Sequence, residues 1–170
     1  MRCIVLLMVT FAAMLLGCRS TETLFKVRST VDMTIPAGSN TLEILGLRRE
    51  GIFPYQFNLD LFGVTDAQIE RLIAQQAFLT SKFNQDLDFV EVVEVNVVNQ
   101  DDLEDKREVF HFDPVPFGSK EEIQLFPSLP DIKRFVKDDT VLFEVELTFR
   151  RIPTQNTEIR LEMEYGAVEI

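Results

Sequence analysis

TVLFEVELTFRRIPTQNTEIRLEMEY, residues 140–165, carries two apolar stripes of period two on either side of a proline-containing turn. Val141, Phe143, Val145, Leu147 and Phe149 alternate with mostly polar neighbours, and after Pro153 so do Ile159, Leu161, Met163 and Tyr165. Successive side chains on a strand point to opposite faces, so this pattern describes two strands that each bury one face. The stretch predicts a closing antiparallel hairpin. Its outer face would carry Glu144, Glu146, Glu158, Glu162 and Glu164 with Arg150 and Arg160. Opposite charges facing each other across such a pair contribute roughly 0.2–1 kcal/mol each. That face is either simply solvated or a surface for a partner.

The same alternation recurs upstream. In KVRSTVDMTI (26–35), Val27, Val31, Met33 and Ile35 oppose Arg28, Thr30, Asp32 and Thr34, and Pro36-Ala37-Gly38 ends the run. In YQFNLDLF (55–62), Tyr55, Phe57, Leu59 and Leu61 alternate with Gln56, Asn58 and Asp60, which predicts a second strand. FVEVVEVNVVN (89–99) and REVFHFD (107–113) follow as strands joined by the acidic loop QDDLEDK, and a brief strand is expected over 123–126. Two segments change period. VTDAQIERLIAQQAF (64–78) places Gln68 three residues after Thr65, the form of a capping box, and Ile69, Leu72 and Ile73 fit one face of a short helix near 66–77. PDIKRFVKDD predicts a helical turn near 131–137, packed through Ile132, Phe135 and Val136. About seven strands with these minor helices predict a mainly β chain, an antiparallel two-sheet β-sandwich. No internal repeat or second domain is visible.

Composition narrows the partners. The chain has 170 residues and a formal charge of −11, which disfavours nucleic acid because its binding depends on Lys and Arg against phosphates. Of 17 aromatic residues 15 are Phe, 2 are Tyr and none is Trp, so most rings are expected in a core and not on a ligand-stacking platform.

No catalytic, cofactor or metal residue is nominated. His111 is the only histidine, and no G-x-S-x-G elbow accompanies it, so it is expected to be structural, solvent-facing or partly buried. Zinc would need three or four His, Cys or carboxylate ligands. Asp101, Asp102, Glu104 and Asp105 form the one plausible cation loop at 101–105, but the run lacks the spacing and the glycine of a calcium loop and is expected to be a solvated hairpin tip.

The N-terminus is different in kind. After Met1-Arg2 an apolar run from Ile4 to Leu16 is too short to span a bilayer but suits a signal-peptide core. It ends in Leu15-Leu16-Gly17-Cys18, which resembles the lipobox of bacterial lipoproteins. The resemblance implies cleavage between Gly17 and Cys18, a diacylglyceryl group on the Cys18 thiol and often palmitate or another N-acyl chain. It divides the chain into a removed signal (1–17), an acylated cysteine with a short tether (18–24) and one β-sandwich domain (25–170). Cys3 falls in the removed segment, so Cys18 is the one thiol of the mature chain, and acylation would block it. Arg19 follows Cys18 where many inner-membrane lipoproteins have Asp, so the resemblance implies an outer-membrane anchor, facing the periplasm by default, with surface display the alternative.

The order of an IPAG turn after the first strand, a mid-chain helix and the final paired stripes is similar to uncharacterised bacterial β-sandwich lipoproteins, and anchor plus sandwich resembles small outer-membrane lipoproteins of secretion machines. These resemblances imply a fold and an address. The expected function is a non-enzymatic envelope scaffold or accessory subunit held at the membrane by Cys18, with an envelope protein as partner. The alternatives are a carrier of lipid or another apolar ligand, which needs a cavity of several hundred Å³, and an envelope hydrolase.

Overall fold

A computed structural model describes residues 23–118 and 121–169; the lipobox with Gly17 and Cys18 lies outside the described residues. The elements run β1 (Thr23–Ile35), β2 (Leu45–Ile52), α1 (Tyr55–Phe62), β3 (Ile69–Ser81), β4 (Val90–Asn99), β5 (Asp102–Phe112), β6 (Glu122–Pro127), β7 (Thr140–Phe149) and β8 (Thr157–Glu169). The chain is therefore mainly β. Its strands form one antiparallel sheet in the order β1-β8-β3-β6-β5-β4-β7-β2.

The expected seven-stranded, two-sheet sandwich is corrected to a single eight-stranded sheet curled almost into a barrel. Its two halves are continuous through β5 and β6, which pair at Phe110 with Pro127 and His111 with Phe126. The edges β1 and β2 come back together: the Ser29 hydroxyl donates to the Ile52 carbonyl across them at 2.8 Å. Gly51 permits this approach, since a Cβ there would stand 2.6 Å from Val31 Cγ1 and 2.8 Å from Phe143 Cε2. Alternation reports that each strand buries one face. It is silent on whether those faces meet as two sheets or as one curled sheet.

The closing stripes are strands, but not a hairpin. β7 lies between β2 and β4, and β8 between β1 and β3, so residues 150–156 carry the chain from one half of the sheet to the other. This crossing is tied down by the Gly38 N–H donating to the Pro153 carbonyl at 2.8 Å and the Ala37 N–H to Asn156 Oδ1 at 2.8 Å.

Helix and strand are exchanged between two segments. YQFNLDLF is α1, not a strand: Tyr55 and Leu59, four apart, are its buried residues, and Gly63 stops it in the left-handed region at φ 64°. The expected helix near 66–77 is strand β3. Irregularities in its pairing with β8, between Ile69 and Arg71 and between Ala74 and Gln76, displace the inward set to Ile69, Leu72, Ala74, Ala77 and Leu79. Three-residue steps made by β-bulges look helical in sequence. The capping contact is present, with the Thr65 N–H donating to Gln68 Oε1 at 2.8 Å, but it heads only a 3-10 turn, Asp66–Gln68. Near 131–137 the expected turn is the 3-10 turn Lys133–Phe135, with Ile132 and Phe135 buried. The acidic loop is also corrected, because Asp102 to Asp105 open strand β5 and only Gln100 and Asp101 make the turn.

The space inside the sheet is filled. Tyr165, Phe53, Phe110, Phe143 and Phe149 are all less than 2% exposed, and the rings of Phe53 and Phe110 meet Tyr165 edge-on with centroids 5.3 and 5.6 Å away.

Candidate functional site

With the interior occupied, the outer wall carries the polar chemistry. The two halves of the sheet repeat one arrangement. On β8, Glu164 is flanked in register by Arg28 of β1 and Gln76 of β3; on β7, Glu144 is flanked by Arg48 of β2 and Asn96 of β4. Each glutamate is only 5% exposed beneath two cations. Glu164 accepts from Lys26 Nζ at 2.6 Å and Arg28 Nε at 3.0 Å. Glu144 accepts from Arg48 Nε at 2.6 Å and from Lys106 Nζ at 3.0 Å, and Lys106 also bonds Glu146.

These contacts fix the charge states. Burial alone would raise the Glu144 carboxyl, but hydrogen bonds from Lys106 and Arg48 outweigh it and hold the group below its ordinary value. The hydrogen bond from Lys26 lowers Glu164, against burial and with help from Arg28. On the same wall Arg160, then Lys82, hold Asp32 far below the carboxylate range. A general acid at neutral pH needs the opposite shift, a carboxyl kept protonated by an apolar site. These carboxylates are built to stay ionised and paired.

Of the acidic residues expected on the last two strands, Glu144, Glu146, Glu158 and Glu164 thus find cationic partners outside β7 and β8. Glu158 lies 3.6 Å from Lys82, Arg160 pairs with Asp32, and Arg150 donates to the Val115 carbonyl while its guanidinium covers the Phe117 ring at 4.3 Å. β7 and β8 are not neighbours, so the charges do not pair with each other.

A groove of about 270 Å³ lies on the outer wall over β1, β8 and β3, lined by Arg28, Thr30, Gln76, Phe78, Glu162 and Glu164. It is open, and smaller than the ~300–1,000 Å³ typical of small-molecule pockets. The Arg28 side chain, which reaches Glu164 through Nε, is 81% exposed. Sequence reading missed this groove. The signal lay in the polar phase of the alternation, but only the register brings Arg28, Glu164 and Gln76 together.

His111 is half-exposed beside Phe126. Its Nδ1 is 3.0 Å from Glu108 Oε1 and 3.3 Å from Ser128 Oγ, and the Ser128 hydroxyl itself donates to Glu108. A Ser-His-acid set divides the serine and the acid between the two ring nitrogens. Here both sit at one nitrogen, and the hydroxyl is held by the carboxylate it would have to leave.

Asp101 is paired with Lys137 and Asp105 with Arg134, each at 2.8 Å, which leaves no bare carboxylate cradle in the former loop. Among the described residues no group of three or more His, Cys, Asp or Glu stands in metal-binding proximity, and no helix is long and apolar enough to cross a membrane. Compared with protein-family models and with curated proteins, the chain matches none, so the reading of its function rests on its own residues.

Proposed function

We propose that this chain is an acyl-anchored lipoprotein of the bacterial envelope, on the periplasmic face of the outer membrane, in which the β domain serves as a scaffold or accessory subunit for an envelope protein. The observation that carries this reading is the filled interior: a sheet packed with Tyr165, Phe53, Phe110 and Phe143 offers ligands its outer surfaces and not an apolar chamber. The carrier alternative needs such a chamber. The anchor is supported by the LLGC sequence ending at Cys18, and Thr23, already in β1, follows that cysteine by five residues. Five residues reach at most about 18 Å. The domain would sit against the membrane, with its outer wall as the surface presented to a partner.

A photo-crosslinking residue placed at Thr30 or Phe78, both lining the wall groove, tests the scaffold role in intact cells. The expected result is a discrete adduct with one envelope protein. Absence of a protein adduct from these positions and from a third on the β7 wall, at Thr148, would refute it.

A further inference from the structure

Helix α1 is apolar on two opposite sides. One side, Tyr55 and Leu59, is buried in the domain. The other presents Phe57 and Leu61, four apart and therefore on one face, which are 61% and 64% exposed. Ile52, immediately before the helix, is 74% exposed, and Phe62 is 53% exposed. A helix at a water-facing surface ordinarily turns polar residues outward. Four large apolar side chains gathered on one short segment mark a contact surface.

The position of α1 says what covers it. Phe62 stacks on Phe25 of β1 with centroids 5.5 Å apart and planes 9° from parallel, and Phe25 also tilts against Tyr55 at 6.3 Å. The helix therefore lies at the end of the barrel where β1 begins. From Thr23 back to Cys18 is five residues, at most about 18 Å of chain. The helix carries a single charged residue, Asp60, bonded by Gln56 at its flank. Such a face suits the boundary between headgroups and acyl chains of uncharged lipid, whereas a chain of net charge −11 is repelled by an anionic surface.

We propose that the outer face of α1, formed by Phe57 and Leu61 with Ile52 and the open edge of Phe62, is a membrane-seating surface that inserts into the leaflet holding the Cys18 acyl chains. It fixes the orientation of the barrel, α1 end down, and so sets which part of the wall a partner meets. The inference rests on the lipoprotein reading. It adds a second, non-covalent contact that the lipobox does not imply.

The absence of Trp from the chain makes the test direct. The variants Phe57→Trp and Leu61→Trp each give a single reporter, and Phe117→Trp gives one at the opposite end of the barrel, where Phe117 is 87% exposed. The acylated protein, purified from membranes, is reconstituted into phosphatidylcholine vesicles with or without brominated acyl chains. The expected result is at least about twofold quenching by brominated lipid for Phe57→Trp and Leu61→Trp, protection from acrylamide, and neither effect for Phe117→Trp. Protein that floats with the vesicles while both α1 reporters remain unquenched by bromine and open to acrylamide would overturn the seating surface and leave the anchor standing. Protein that fails to float would overturn the anchor and the seat together. Emission of the α1 reporters that shifts to the blue with rising protein concentration in the absence of lipid would mean that a second copy covers the face, and would also overturn the proposal.

Discussion

Tyr165→Ala is expected to lower the stability of the domain by about 3–5 kcal/mol, the usual cost of truncating a large buried ring, whereas Tyr165→Phe is expected to change it by less than about 1 kcal/mol. Tyr165 is fully buried on β8 and its ring is the meeting point of Phe53, just past the end of β2, and Phe110 of β5. Removing it would leave a void that its close-packed neighbours cannot fill. The hydroxyl is a different matter. Its one bond runs to Met163 Sδ at 3.5 Å, a weak acceptor, and burial pushes the phenol well above its ordinary pKa, so it stays neutral. Little is lost when it is deleted. Urea unfolding of both variants checks the pair. A Tyr165→Phe cost above about 2 kcal/mol would mean that the hydroxyl has a stronger partner than the thioether.

The second large effect is electrostatic and has a pH signature. Glu144→Gln is expected to cost about 2 kcal/mol at pH 7, because two charge-assisted hydrogen bonds, from Arg48 and Lys106, lose their anion. Both cations are partly exposed and regain water, which keeps the loss below that of a fully buried pair. The folded-state pKa of Glu144 is lowered, so its contribution is complete above the unfolded value of about 4.3 and is lost as pH falls through the folded value. The difference between wild type and Glu144→Gln should therefore shrink as pH falls below the unfolded value and vanish once Glu144 is protonated in the folded state, where both side chains are neutral. Glu164→Gln should behave in the same way, since Glu164 is lowered too and shares no partner with Glu144. An equal penalty at pH 7 and pH 3 would assign the effect to packing and not to charge.

The strands that alternate strictly were legible in the sequence, and the inward residues of β7 and β8 are those the pattern names: Val141, Phe143, Val145, Leu147 and Phe149, then Ile159, Leu161, Met163 and Tyr165. Three things were not legible, each for a physical reason. A step of two and a step of four share positions, so Tyr55 and Leu59 fit a strand or a helix equally well; the decision lay with Pro54 before the segment and the left-handed Gly63 after it. The bulges in β3 broke its period and imitated a helix. Pairing between strands is a long-range property, which is why β7 and β8 read as a hairpin and why β2, an edge strand with weak alternation in LGLRREGI, passed unnoticed.

The wall site follows the same division. Arg28, Glu144 and Glu164 fall on the polar phase of strands the sequence shows, whereas Arg48 lay in an unnoticed strand and Gln76 in a segment that read as a helix, and the two matching triplets exist only in the register of six strands far apart in sequence. The exposed face of α1 was hidden by the same ambiguity, because Phe57 and Leu61 looked like the inward residues of a strand.

The anchor is the claim on which the membrane seat and the placement of the scaffold depend, and the intact mass of the protein extracted from its own membranes in mild detergent tests it most directly, with Cys18→Ala as control. The expected result is a chain that starts at Cys18 and carries diacylglyceryl and N-acyl mass, and a Cys18→Ala protein without acyl mass. A wild-type chain that retains residues 1–17 and has no acyl mass would contradict it.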